Sequence, residues 1–171
     1  MVEMDTKGFD TVEEVEMEDT QEGKFLTFIL GNEEYGIEIR NVTEIIGIQS
    51  ITDLPDTPSF VKGVINLRGK VIPLIDVRLR FNFDEKEYDD RTCIIVVNIE
   101  NMSVGLIVDT VSEVMEIPEG DIEPPPKVNN KAGSRYIKGL GKVGEEVKIL
   151  LDTHKLLFGD EIEQITESIA A

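Results

Sequence analysis

The 171-residue sequence has one cysteine, one histidine and no tryptophan. With only Cys93, no disulfide can form within the chain, which suits a reducing compartment. Cys93 opens the apolar run Cys93-Ile94-Ile95-Val96-Val97 and reads as a small buried hydrophobe, since no basic cluster surrounds it to activate a thiolate. His154 has no candidate nucleophile near it in sequence to partner in acid–base chemistry. There is no CxxC, HExxH or GxxxxGK[ST] pattern, and Gly139-Leu140-Gly141 lacks the third glycine and the strand–helix context of a dinucleotide loop. Basic residues are scarce, 17 against 35 acidic, for a net charge of −18. Such a field repels nucleic acid and anionic lipid, and favours solubility and basic or apolar partners. No run approaches the ~18 apolar residues of a membrane span. Glu3, Asp5 and Asp10 stand where a secretory signal needs a base and then an apolar core. The expectation is a soluble, cytoplasmic protein without cofactor or catalytic metal.

What the sequence does have is hairpins. Phe60 to Phe81, FVKGVINLRGKVIPLIDVRLRF, holds two apolar runs separated by Arg68-Gly69. Two strand-like runs around a two-residue, glycine-containing link read as a β-hairpin, with Gly69 at positive φ and Arg68 at the tip. Pro73 cannot donate to a ladder, so its N–H side belongs at an edge or bulge. Asp76 ends the second run and can cap a short helix.

The same plan occurs twice. Tyr136-Ile137-Lys138-Gly139-Leu140 echoes Phe60-Val61-Lys62-Gly63-Val64, and Asp152 follows its strand as Asp76 does, each pair 76 residues apart. Gly36 to Ile45 matches Gly105 to Val114 at an offset of 69 residues. The difference falls in Pro118 to Ser134, where Pro, Asn, Gly and charge make an insertion cheap. Two related units, each marginal alone, imply a pseudo-symmetric pair packed on each other.

In order, residues 1–22 are an acidic tail, disordered or loosely helical. Strands are expected over 24–30, 35–39 and 48–54, with a short helical turn between 40 and 46. The hairpin and a short helix near 76–81 follow, then a charged linker over 82–91. The second half gives strands over 92–99, 102–108 and 111–117, a loop over 118–133, a hairpin over 136–151 and a helix capped by Asp152 and running toward Ile165. The division is a first half of about 23–88 and a second of about 90–160, with strands exchangeable between them, and a C-terminal helix and tail over 153–171. Short strands with tight turns point to two small barrels.

Candidate chemistry is sparse. Glu44 and Glu113 hold equivalent positions in the two repeats, and a carboxylate pair could serve glycoside hydrolysis. Two solvated acids in a duplicated turn account for them more simply. Arg68 offers a forked donor to a partner carboxylate in an otherwise acidic protein. The sequons at Asn41 and Asn101 have no use in a cytoplasmic protein.

Four blocks, YGIEIRNVTEI, PDTPSFVKGVINLRGKVIPLIDVRLRF, VGLIVDTVSEVMEI and YIKGLGKVGEEVKILLD, together resemble the CheW family of bacterial chemotaxis coupling proteins, over roughly residues 22–160. The resemblance implies a mainly β fold: two SH3-like, five-stranded barrels packed pseudo-symmetrically around a shared core. It implies a non-catalytic adaptor, monomeric alone, between methyl-accepting chemotaxis receptors and the histidine kinase CheA. It implies a receptor tip in the inter-barrel groove and the kinase regulatory domain at one barrel end. On matching positions the receptor determinants are Val42, Glu44, Gly63, Arg68, Val111 and Val114, and the kinase-facing ones are Thr92, Cys93 and Gly105. Cys93 departs from the aliphatic residue expected there. The competing reading is a small-ligand-binding or hydrolytic β-barrel that uses Glu44 and Glu113. A nucleic-acid-binding barrel is opposed by the charge and by the absence of an aromatic and basic strip.

Overall fold

The computed structural model describes residues 21–125 and 134–158. Eleven strands form two sheets among these residues. The first repeat gives β1 (Lys24–Leu30), β2 (Glu33–Glu38), β3 (Val42–Gly47), β4 (Val61–Leu67), β5 (Lys70–Asp76) and the short helix α1 (Val77–Arg80). The second gives β6 (Cys93–Ile99), β7 (Met102–Val108), β8 (Thr110–Glu116), the two-residue β9 (Ile122–Glu123), β10 (Ile137–Val143), β11 (Glu146–Leu151) and α2 (Thr153–Leu157).

The strand orders are β8-β1-β2-β11-β10-β9 and β3-β6-β7-β5-β4. Each sheet therefore takes a hairpin from the other repeat. β1–β2 sits between β8 and β11, and β6–β7 sits between β3 and β5. The joins to β11 and β5 are the two parallel pairings, Ile149↔Tyr35 with Leu150↔Gly36, and Leu74↔Gly105 through Asp76↔Ile107. The mainly β, two-unit fold expected from the sequence is the one observed.

Local chemistry sets the hairpins. The β4–β5 link has φ of +51° at Arg68 and +87° at Gly69, and the β6–β7 link has +53° and +65° at Glu100 and Asn101. Positive φ at both link residues gives the turn a twist that matches right-twisted strands. Pro73 lies inside β5, which is not an edge strand, but one residue short of the parallel ladder that begins at Leu74. Its missing donor costs no ladder bond there. Asp76 Oδ1 accepts from the Leu79 N–H at 3.3 Å and Asp152 Oδ1 from the Lys155 N–H at 3.0 Å, so both caps form as the sequence requires.

One apolar core joins both sheets, with Phe28, Ile37, Val97, Leu106, Leu151 and Leu156 among its buried members. A run of rings crosses it: Phe28 on Tyr35 at 5.9 Å, Tyr35 on Phe81 at 5.7 Å and Phe81 on Tyr136 at 5.7 Å between centroids. The Arg80 guanidinium lies buried over the rings of Phe60, 4.3 Å away, and Tyr136, 4.8 Å away. Each such buried ring or aliphatic side chain removes apolar area worth roughly 1.5–3 kcal/mol from water. Each unit also has a smaller inner cluster. Six side chains are buried in the first (Ile65, Ile72, Leu74, Ile94, Val96, Ile107) and three in the second (Phe25, Ile117, Leu150).

Two expectations are corrected. Residues 42–46 are strand, not helix; the only helical residues there are the 3-10 turn Ile39–Asn41. The strand expected over 48–54 reduces to one bridge, Thr52↔Val64, because Ile48 and Ile51 pack into the inner cluster without a ladder. α2 ends at Leu157, where the Phe158 N–H bonds the His154 carbonyl at 2.8 Å. The expected extension to Ile165, the residues before 21 in the tail and most of the loop beyond Pro125 lie outside the described residues.

Candidate partner-binding surface

Arg68 is pushed out by the β4–β5 link, and its side chain is 71% exposed. The Asn66 side-chain oxygen accepts from the Gly69 N–H at 2.8 Å and holds the tip. Arg68 pairs with Glu44, which is carried by β3 at the opposite edge of the same sheet. The ion pair therefore spans the two edge strands. β3 bulges between Val42 and Glu44, and the Thr43 hydroxyl donates to the Val96 carbonyl at 3.1 Å. Val42 packs on the shared core, and Ile46 packs into the inner cluster. Glu44 lies between them, half-buried, while Ile45 faces outward at 43% exposed. An acid on the inner side and an isoleucine on the outer side reverse the ordinary polarity of a half-buried strand.

The second repeat copies the arrangement without the arginine. β8 breaks register against β1 between Val111 and Val114. Val111 packs on the shared core and Val114 is 53% exposed. Buried Thr27 donates from its hydroxyl to the Glu113 carbonyl at 2.9 Å and accepts from the Glu113 N–H at 3.2 Å. Gly144-Glu145 replaces Arg68-Gly69 at the equivalent tip. Ile45, the counterpart of Val114, is a candidate contact that the sequence reading passed over; the 69-residue offset was the signal that could have found it.

The remaining predicted residues divide by burial. Gly63 is buried with φ of +139°, and a Cβ there would meet the Thr52 carbonyl oxygen at 2.1 Å. It allows the 51–52 segment to cross β4 and offers no side chain to a partner. Gly105 is buried in β7, where a Cβ would meet Leu74 Cδ2 at 2.5 Å and Ile94 Cγ2 at 2.8 Å. Thr92 is buried, and its hydroxyl accepts from the Asp89 N–H at 2.9 Å. Cys93 alone of the three positions expected to face the kinase is partly exposed; its thiol donates to the Arg91 carbonyl at 3.2 Å. Cys93 pairs with Val108 and Gly105 with Val96, so the two are not neighbours across the ladder. Thr92 and Gly105 can shape this end of the barrel, while Cys93 is the one that can touch a partner.

Glu44 and Glu113 stand on β3 and β8, strands of different sheets, and Glu44 is engaged by Arg68. Among the described residues no group of three or more His, Cys, Asp or Glu is placed to hold a metal ion. No helix among them is long and apolar enough to cross a membrane.

Away from the tips, charge pairs fasten the units. Arg78 of α1 grips Asp109 with two bonds, Nε to Oδ1 at 2.6 Å and Nη2 to Oδ2 at 2.7 Å, and the Gly31 N–H donates to the same carboxylate at 2.8 Å. Burial would raise the Asp109 pKa, but Arg78 and the Gly31 N–H outweigh it and hold the carboxyl below its usual range. Lys148 of β11 is 8% exposed between Glu34 and Glu146, which hold it charged by raising its pKa.

The CheW-like domain model matches residues 24–161. The chain is 44% identical over 139 residues to the chemotaxis protein CheW of Klebsiella aerogenes, covering 81% of this chain and 84% of that protein. It is 33% identical over 148 residues to that of Thermotoga maritima, covering 85% and 91%. The solved structure of the scaffolding protein TtCheW from Thermoanaerobacter tengcongensis superimposes with a TM-score of 0.75 at 39% identity, over 81% of this chain and 94% of that one. Fold, repeat and matched blocks agree, and the chain belongs to the CheW-like domain family.

Proposed function

We propose that this chain is a cytoplasmic, non-catalytic adaptor that couples methyl-accepting chemoreceptors to the histidine kinase CheA and is recruited by them to receptor arrays. The observation that carries this is Arg68, exposed at a hairpin tip in a positive-φ conformation that costs an arginine about 1–2 kcal/mol. Beside Glu44 on β3, the outward Ile45 and half-buried Val42 offer apolar contacts to an amphipathic receptor helix, and Val114 and Val111 repeat them on β8 of the other sheet. Gly63 shapes the β4 wall. The kinase regulatory domain docks at the barrel end marked by Cys93, with Thr92 and Gly105 as its packing support.

Nothing in such a site makes or breaks a bond. Kinase control would come from positioning: the adaptor holds receptor and kinase in one assembly and favours the kinase arrangement that the receptor state selects. The test is calorimetric titration of the full chain with the isolated regulatory domain of its CheA, with a receptor tip fragment, and with Cys93→Arg in place of the native chain. The expected result is saturable one-to-one binding of both partners, with only the kinase domain lost in the folded variant. Failure of both partners to bind at high micromolar concentration refutes the adaptor reading. Kinase binding that survives Cys93→Arg moves the kinase face elsewhere.

A further inference from the structure

The repeat allows each unit to be compared with the other, and among the described residues one side chain has no counterpart. In the first unit, Tyr88 of the 82–91 linker packs against the inner cluster. The Lys62 ammonium lies 5.8 Å from its ring centroid, and its hydroxyl donates to Asp76 Oδ2 at 2.7 Å. Asp76 is only 2% exposed. Lys138, Asp152 and Leu150 are the second unit's equivalents of Lys62, Asp76 and Leu74, each 76 residues on.

No tyrosine meets them. Among the described residues the corresponding space is a cleft of about 480 Å³, floored by Phe25, Ile117, Ile122 and Leu150. A second space of about 150 Å³ shares Glu38 and Lys138 with it and reaches Asp152 and Thr153. Asp152 is half-buried, with one oxygen on the α2 cap and, among the described residues, no hydroxyl on the other. Among the described residues the Thr153 hydroxyl is buried without a hydrogen-bond partner. Buried polar groups are ordinarily satisfied, so this one marks incomplete surroundings. The second unit's inner cluster is also the smaller one.

We propose that this cleft is a docking site for a tyrosine side chain of a partner protein, seated as Tyr88 is seated in the first unit. The apolar floor takes the ring, Lys138 lies beside its face, and Asp152 accepts from the hydroxyl. The chain cannot supply this tyrosine itself. Its three tyrosines are Tyr35, Tyr88 and Tyr136; two are buried and Tyr88 is half-buried and bonded, so neither a tail nor a second copy has one to offer. The rim favours a basic segment around the tyrosine: Glu22 and Glu119 are acidic, and Arg40 and Lys138 are both engaged by Glu38, at 3.3 and 2.6 Å.

The test does not assume the adaptor reading, because its probe is a peptide. The full chain, labelled with nitrogen-15, is titrated with Ac-Lys-Tyr-Lys-NH2, Ac-Lys-Phe-Lys-NH2 and Ac-Glu-Tyr-Glu-NH2. The expected result is amide shifts at 23–25, 122–123, 138 and 150–153 that saturate at millimolar peptide, with the Phe peptide about fivefold weaker. The acidic peptide should be weaker still. Asp152→Asn keeps the helix cap, since Asn caps as well as Asp, and should weaken the Tyr peptide about fivefold while leaving the Phe peptide unchanged. Equal affinity for the Tyr and Phe peptides, shifts scattered over the surface, or no saturation by about 10 mM overturns the proposal.

Discussion

Replacing Arg68 with Asn should separate stability from coupling. Arg68 sits at φ +51° with Gly69 at +87°, and Asn-Gly is the favoured pair for a link of this kind. Relief of the arginine's conformational strain favours the variant by about 1 kcal/mol. Against it stands the loss of the ion pair with Glu44. Arg68 is 71% exposed and Glu44 29%, so solvent screening holds that pair to about 0–1 kcal/mol. The balance is a variant at least as stable as the parent, with a midpoint equal or a few degrees higher. Denaturant unfolding gives the stability, and calorimetry with a receptor tip fragment gives the coupling. Binding should fall at least tenfold, since a forked arginine donor to a carboxylate is among the stronger polar contacts. A variant less stable by more than about 1 kcal/mol would show that Arg68 serves the fold, and unchanged receptor binding would remove it from the interface.

Gly105→Ala should destabilise by about 1–3 kcal/mol, because the new Cβ meets buried Leu74 and Ile94 at 2.5 and 2.8 Å. Its counterpart Gly36→Ala, whose tightest contact is 3.0 Å to the end of Leu150, should cost clearly less, and thermal unfolding of the pair compares them directly. Tyr88→Phe should cost about 1 kcal/mol by removing the hydroxyl from Asp76, seen as a lower denaturant midpoint at unchanged slope. Asp109 has a depressed pKa when folded, so its contribution is complete above its unfolded value near 3.8 and is lost as pH falls through the lower folded value. Asp109→Asn should therefore reduce stability above about pH 4 and flatten its fall below that, measured as unfolding midpoint against pH.

Much of this was legible because the chemistry is local. Arg68-Gly69 between two apolar runs specified its hairpin, and Asp76 and Asp152 specified their caps, since neither depends on distant residues. The repeat was legible because equivalent glycines and acids kept their order. β3 was misread for a physical reason. Glu44 is turned inward toward Arg68 and Ile45 outward, so the apolar positions 42, 45 and 46 mimic helical spacing. The irregularity that hid the strand also lies at the candidate site. Burial decided the rest: nothing local reveals that Gly63, Thr92 and Gly105 are enclosed by Thr52, Asp89, Leu74 and Ile94. The open counterpart of the Tyr88 seat is likewise visible only when the two units are compared in space.

The exchanged hairpins carry a mechanical consequence. A pull between one partner held on strands of the first repeat and another on strands of the second would not stretch a tether between two beads. It would load the ladders β8–β1, β2–β11, β3–β6 and β7–β5, each of which joins one repeat to the other. Strands loaded along their length must break many hydrogen bonds together. The two halves are clasped like interlaced fingers, and even a single cut of the chain between residues 83 and 91 should leave them gripping each other.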